Sequence, residues 1–291
     1  MKHVDERAQV LIEALPYIQR FAGETIVVKH GGSAMEDPEL RRAVARDIVL
    51  MHCVGIRPIV VHGGGPRISA MMERLGIEPE FVDGLRVTPE QTMEVAQMVL
   101  VGSINKEIVS LINAEGGRAI GLSGKDANLI RATKLQSETD LGYVGEVESI
   151  DAGVLETLAE AGYTAVVSPI GIGPNGESYN INADHVAAEF AVAVRAAKLI
   201  HLTDVPGVLA DPDDDASVIS TLNLDEAREL LDGEDIGAGM IPKLQSAISA
   251  VDRGVPRAHI IDGRMPHASL IELFTDRGIG TMISEPSPAG D

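Results

Sequence analysis

Val4, Ala8, Leu11, Ile12, Leu15 and Ile18 recur at the spacing of one helical face, so the chain opens on an amphipathic helix over about 4–18. Pro16 should kink or end it, because proline removes a main-chain donor and crowds the preceding turn. From pattern alone such a helix packs on its own domain or on a neighbouring subunit, and the first is the simpler expectation. Beyond it, short apolar runs alternate with longer stretches of helical period. Strands are predicted at 25–29, 58–62, 118–122, 164–168, 198–203 and 258–261. Helices are predicted near 38–53, 91–114, 150–161, 185–197, 225–231 and 243–253. Such alternation means an α/β protein with a mostly parallel sheet and helices on both faces. Residues 135–147 and the turn at 173–176 read as hairpin or loop insertions, and a lobe boundary near Lys198 has no linker to mark it.

Composition narrows the partners. The 291 residues suffice for one large α/β domain or two lobes sharing a sheet. Tryptophan is absent and aromatics are 3%, so the core must be aliphatic, and stacking platforms for single-stranded nucleic acid are not expected. A formal net charge of −20 repels nucleic acid and anionic membranes. The single cysteine, Cys53, permits no internal disulfide, and its apolar neighbours suggest that it is buried. No signal peptide or membrane span stands out, so a soluble cytoplasmic protein is expected. The histidines have no metal spacing. The run Asp211–Asp215 begins like a calcium loop but has Ala216 for the required glycine and Leu222 for the closing glutamate, so a solvated acidic turn is expected.

Two predicted strands end in glycine clusters, Lys29-His30-Gly31-Gly32-Ser33 and His62-Gly63-Gly64-Gly65-Pro66. Glycines at that place let backbone N–H groups approach an anion, and the next helix adds its positive end. Neither cluster has the spacing of a P-loop or of the dinucleotide fingerprint, so any phosphate site is of another kind. Two further segments open helices: Asn180-Ile181-Asn182-Ala183-Asp184 and Gly239-Met240-Ile241-Pro242-Lys243. Asn182 or Asp184 could be a plain cap. Lys243 opposes the helix dipole, which points to an anion nearby.

Taken in order, V-K-H-G-G-S, V-V-H-G-G-G-P, D-G-L-R-V-T, N-I-N-A-D and G-M-I-P-K resemble the amino acid kinase family. Within it they are most similar to the members that act on N-acetyl-L-glutamate, and the likeness runs from about Ala8 to Ile283. The resemblance implies an open, mostly parallel eight-stranded sheet between helix layers. It divides the chain into an oligomerisation helix (1–22), a lobe for the acyl substrate and dimerisation (23–197) and a nucleotide lobe (198–291). It implies ATP-dependent phosphorylation of the γ-carboxylate of N-acetyl-L-glutamate, a step of arginine biosynthesis, with Mg2+ bridging the ATP phosphates. Lys29 and Lys243 would flank the transferred group and Asp184 would hold both. Gly31 and Gly32 would offer N–H groups to the phosphates. Gly64, Gly65 and Asn182 would line the acyl site, and Arg86 and Asn180 would hold the α-carboxylate. Thr203, Asp204, Val205, Gly207, Ile236 and Gly237 would border the nucleotide. His30 departs from the aromatic or aliphatic residue of relatives and should point away from the phosphates, altering packing rather than chemistry.

Residues 267–282, with Leu15-Pro16-Tyr17-Ile18, resemble the arginine-inhibited branch of these kinases. There the N-terminal helix interlaces between dimers to form a homohexamer, a trimer of dimers, which reverses the packing expected from pattern alone. The inhibitor L-arginine would meet Glu272, Gly278, Gly280 and Thr281, and a nitrogen-signalling regulatory protein is a further partner open to such a ring. Two alternatives stay open: a kinase of the same family with a different acyl substrate, and a catalytically silent arginine sensor. The D-G-L-R-V-T context of Arg86 weighs against the first, and the intact Lys29, Asp184 and Lys243 against the second.

Overall fold

The computed structural model describes residues 2–211, 213–233, 236–237, 239–275 and 278–285. Pro212 of the acidic turn and Asp276 and Arg277 of the C-terminal motif lie outside the described residues. The helices are α1 (Lys2–Phe21), α2 (Pro38–Cys53), α3 (Gly65–Arg74), α4 (Glu90–Gln97), α5 (Asn105–Ala114), α6 (Gly153–Glu160), α7 (Ala183–Ala193), α8 (Leu224–Asp232), α9 (Ile241–Asp252) and α10 (Ala268–Phe274). The strands are β1 (Thr25–His30), β2 (Arg57–His62), β3 (Phe81–Val82), β4 (Leu85–Arg86), β5 (Ala119–Ser123), β6 (Ile130–Lys134) and β7 (Gly145–Ile150). They continue as β8 (Thr164–Ser168), β9 (Ile170–Ile172), β10 (Ser178–Asn180), β11 (Lys198–Thr203), β12 (Thr221–Asn223), β13 (Arg257–Asp262) and β14 (Gly280–Ser284).

The main sheet has eight strands in the order β12-β14-β13-β11-β1-β2-β8-β5. All its pairings are parallel except β13 with β14. This is the α/β class expected from the sequence, and the six anticipated strands all lie in this sheet. Its central strands are buried on both faces, so they read as unbroken apolar runs. Val27, Val61, Val167, Leu199 and Ile260 face one layer with α7 and α9 residues such as Phe190, Leu244 and Val251. Ile26, Val28, Val60, Val166 and Ile200 face the other, with Ile48 and Met51 of α2 and Ile108 and Ile112 of α5.

Several expectations change. Helix α1 runs through Pro16 to Phe21 instead of ending there. The carbonyl that loses its partner belongs to Ile12, which is exposed and can bond water. Cys53 is exposed, not buried. The buried face of α2 follows Val44, Ile48 and Met51, and two residues past Met51 the helix has turned to the opposite side. The stretches read as hairpin or loop insertions keep that role: 135–144 joins β6 to β7 and 173–177 joins β9 to β10, in a second sheet of order β10-β9-β6-β7. Strands β12 and β14, absent from the sequence pattern, complete the main one.

The predicted 91–114 helix is α4 and α5 joined by a π-helical segment, Met98–Ile104. The run Glu90–Ala114 is long and apolar enough to cross a membrane by length and composition. In the fold, Val95, Leu100, Ile104, Ile108 and Ile112 of that run are buried in the second core layer. His30 also faces that layer, beside Arg41, Val44 and Ile48, and burial pushes its pKa down to about 3.

Candidate active site

The site grows from the carboxyl ends of β1 and β11 and the first turns of α7 and α9. Lys29 stands in register with His201 on one side and Val61 on the other. The helix α7 starts on Asn182, whose side chain accepts from the N–H groups of Asp184 and His185. That cap fixes Asp184 in the first turn, aimed at the end of β1. Lys29 Nζ lies 2.9 Å from Asp184 Oδ1, and Lys243 Nζ, from the first turn of α9, lies 3.8 Å from Oδ2. Lys243 also donates to the carbonyl of Gly239 at 2.8 Å.

Burial by itself would raise the Asp184 pKa, but Lys29, the His201 hydrogen bond and Lys243 outweigh it and hold the carboxyl well below the usual range. Burial lowers the pKa of Lys243, with Asp184 opposing the shift. Two ammonium groups against one carboxylate leave this point cationic in a chain of net charge −20.

Two cavities flank the trio, one walled by Lys29 and Asp184 and the other by Lys243. One, of about 260 Å³, is lined by Lys29, Gly31, Gly32, Gly64, Gly65, Arg86, Asn180, Asn182 and Asp184, among others. A Cβ on Gly64 would press on Ile104 Cδ1 and Leu100 Cδ2 of the π-helical segment, so that segment packs directly over the glycine cluster. The Arg86 guanidinium is fixed by bonds from Nη2 to the Gly65 carbonyl (2.9 Å) and Ser69 Oγ (2.8 Å), and it stands 4.6 Å over the Phe81 ring. Asn180 donates to Thr88 Oγ1 at 3.4 Å.

The second cavity, about 300 Å³, is lined by Asp204, Val205, Gly207, Ile236, Gly237 and Lys243 with apolar neighbours. Thr203 is fully buried and does not line it; its hydroxyl donates to the Val205 carbonyl at 2.8 Å and shapes the turn. Gly31 and Gly32 border the first cavity, although a Cβ on Gly32 would lie 3.2 Å from the Asp204 nitrogen at the entrance to the second.

A third cavity, of about 440 Å³, opens elsewhere, between the end of α1 and the C-terminal segment. Its walls include Phe21, Lys198, His259, Glu272 and Gly278. Gly280 and Thr281 do not line it. They stand in β14 opposite Ile261 and Ile260. The Thr281 hydroxyl accepts from the Val208 N–H at 2.8 Å, bracing the wall of the second cavity.

The sequence pattern did not single out the polar groups beneath the trio. His201 and Ser246 touch Asp184, and His62 Nε2 meets Ser168 Oγ at 3.0 Å under the second glycine cluster. The only signal for His201 or His62 was a histidine inside an otherwise apolar strand.

The amino acid kinase family model matches residues 24–262. The acetylglutamate kinase of Thermoanaerobacter pseudethanolicus is 56% identical over 286 residues, covering 98% of this chain and 96% of the relative. That of Moorella thermoacetica is 55% identical over 287 residues, covering 96% and 97%. Among solved structures, the Neisseria gonorrhoeae N-acetylglutamate synthase complexed with coenzyme A and N-acetyl-glutamate matches with a TM-score of 0.86 at 28% identity, over 97% of this chain. This chain spans 64% of the length of that synthase. The same synthase complexed with coenzyme A and L-arginine matches with a TM-score of 0.83 at 28% identity, over 96% of this chain and 66% of that one.

Proposed function

The chain belongs to the amino acid kinase family, and from that membership we infer that it transfers the γ-phosphoryl group of ATP to the γ-carboxylate of N-acetyl-L-glutamate. The product is N-acetyl-L-glutamyl 5-phosphate, and the step belongs to arginine biosynthesis in the cytoplasm. The observation that carries this reading is the ion-paired trio Lys29, Asp184 and Lys243, with one cavity against Lys29 and Asp184 and a second against Lys243. The acyl substrate takes the cavity with Arg86 in the lobe 23–197, and the nucleotide takes the cavity of Asp204 and Gly237 in the lobe 198–291.

The acceptor carboxylate is ionised near neutral pH and is itself the nucleophile, so no general base is needed. Catalysis is then alignment plus charge neutralisation. Lys29 and Lys243 approach the transferred group from its two sides, and Asp184 keeps both ammonium groups in place. Gly31 and Gly32, which line the first cavity, offer backbone N–H groups to phosphate oxygens. Arg86, already braced by Gly65 and Ser69, receives the α-carboxylate together with Asn180. Mg2+ enters as part of the substrate Mg-ATP. ATP oxygens and water supply most of the ligands to such a cation.

A hydroxylamine trap tests the reaction. Acyl phosphate should form from N-acetylglutamate and Mg-ATP, and not from glutamate or aspartate. Folded, ATP-binding protein that yields no hydroxamate with N-acetylglutamate would sink this substrate.

We further propose that L-arginine inhibits the enzyme from the third cavity and that α1 joins subunits into a hexamer. Glu272 and Lys198, facing one cavity, suit the two charged ends of a zwitterion. The likeness to a synthase that binds L-arginine supports this. For the hexamer, Leu11, Ile12 and Leu15 of α1 are 70%, 62% and 42% exposed in the single chain and share one helical face, an apolar stripe suited to a second copy. Sedimentation of the purified chain, and rate measured against arginine, check the two proposals separately.

A further inference from the structure

Asp184 must present one oxygen to Lys29 and the other to Lys243, yet neither lysine stops the carboxylate from turning. What lies under it does. His201 is 0% exposed in the middle of β11. Its register with Lys29 puts both side chains on the same face of the sheet. Its Nδ1 is 3.2 Å from Asp184 Oδ1, and its Nε2 is 3.2 Å from Ser246 Oγ. Ser246 closes the ring by donating to the main-chain carbonyl of Asp184 at 2.6 Å. It sits one turn beyond Lys243 on the same helix, α9.

We propose that His201 and Ser246 are positioning residues of the phosphoryl-transfer centre. The imidazole pins Asp184 Oδ1 so that Oδ2 stays turned to Lys243. The hydroxyl holds α9, and with it Lys243, against the first turn of α7. A neutral imidazole has a single N–H, and only the tautomer protonated on Nδ1 gives the carboxylate a donor. The Ser246 hydroxyl can then turn to either Nε2 or the Asp184 carbonyl. With an aliphatic residue at 201, Oδ1 would keep Lys29 alone and the carboxylate could swing, and a displacement of about 1 Å at a reacting centre can cost roughly 100-fold in rate.

This inference rests on the kinase function above, so the test reads both. The amide nitrogen of asparagine overlays histidine Nδ1, and that of glutamine overlays Nε2. His201→Asn should keep kcat within about threefold of the wild type, while His201→Gln and His201→Leu should lose roughly tenfold or more, with KM for both substrates moving less than kcat. Rescue by asparagine and not by glutamine is a result that mere space-filling at 201 does not produce. Equal rates for the three variants, glutamine at or above asparagine, or a change confined to KM overturns the proposal.

If no His201 variant folds, Ser246→Ala decides: a fall in kcat of roughly threefold or more at constant KM supports it, and an unchanged kcat overturns it. The wild type runs alongside on a panel of carboxylates. Turnover on an acceptor other than N-acetylglutamate overturns the substrate and leaves the ranking to be read on that acceptor. A wild type without turnover on any acceptor overturns both.

Discussion

Asp184 and Glu272 are both carboxylates buried beside a histidine and near a lysine, but they lie at opposite ends of the main sheet. Lys29 and His201 stand toward the carboxyl ends of β1 and β11, whereas Lys198 is the first residue of β11. Around Asp184 both lysines pair with the carboxylate, Lys29 at 2.9 Å and Lys243 at 3.8 Å, and His201 stands at 3.2 Å. Around Glu272 the histidine is as close, but the lysine stands apart. Burial acts to raise its pKa, and the His259 contact at 2.8 Å, the Ile279 N–H and Lys198 bring it below the usual range. Lys198 forms no ion pair among the described residues; its ammonium lies 5.4 Å from the Phe21 ring centroid, and burial lowers its pKa to about 8. A closed network suits a centre that must already be assembled when ATP arrives. An open one, with anion and cation facing a cavity, suits a ligand that completes it.

Four measurements would break or sharpen that contrast. The largest effect is expected at the closed centre: Lys243→Ala or Lys29→Ala should lower kcat by roughly 100- to 1000-fold, as loss of a preorganised donor does. A fall of less than about tenfold in single-turnover rate would remove the lysines from the transition state. Next, Arg86→Lys should raise KM for N-acetylglutamate by about 10- to 100-fold, since a braced planar fork becomes a point charge. Steady-state kinetics in which KM holds and kcat falls would contradict its binding role.

At the open end, Glu272→Gln should raise the arginine concentration for half-inhibition by about tenfold or more, while the arginine-free rate moves far less. Unchanged inhibition would mean that arginine, if it acts, acts elsewhere.

The smallest effect concerns Asp47 of α2, which links that helix to the C-terminal segment through His267 Nδ1 at 2.6 Å. Burial raises the Asp47 pKa to about 6 from 3.8, with His267 opposing the shift. A pKa raised in the folded state means that the contribution of Asp47 to stability is full below the unfolded value and is lost as pH climbs through about 6. Asp47→Asn should therefore raise Tm by a few degrees at about pH 7.5 and by less at about pH 5. A gain larger at the acid end would reverse the sign and refute the assignment.

Much of the sheet was legible because its central strands are buried on both faces and bounded by glycine or by helical period. The pattern failed where a strand owes its existence to its neighbours. Strand β12 has three residues and β14 runs against β13, and neither has a hydrophobic period long enough to stand out. The glycine clusters, Arg86 and the lysines were legible by their placement at strand ends and helix starts. Local spacing gave no sign that the Thr281 hydroxyl accepts from the Val208 N–H, a contact between segments far apart in the chain. Cys53 was misjudged because apolar neighbours in sequence say nothing about which face of a helix a residue occupies.

By itself, then, the sequence determined the alternation of elements, the glycine-ended strands and which charged residues could meet an anion, since all of these depend on periods of a few residues. Only the tertiary structure decided that Lys29, Asp184 and Lys243 converge from β1, α7 and α9, that His201 and Ser246 bond to Asp184 from below, and that Lys198 has no ion pair among the described residues beside Glu272. Those facts depend on strand order and helix packing, which bring distant segments within hydrogen-bonding range and leave no trace in local spacing.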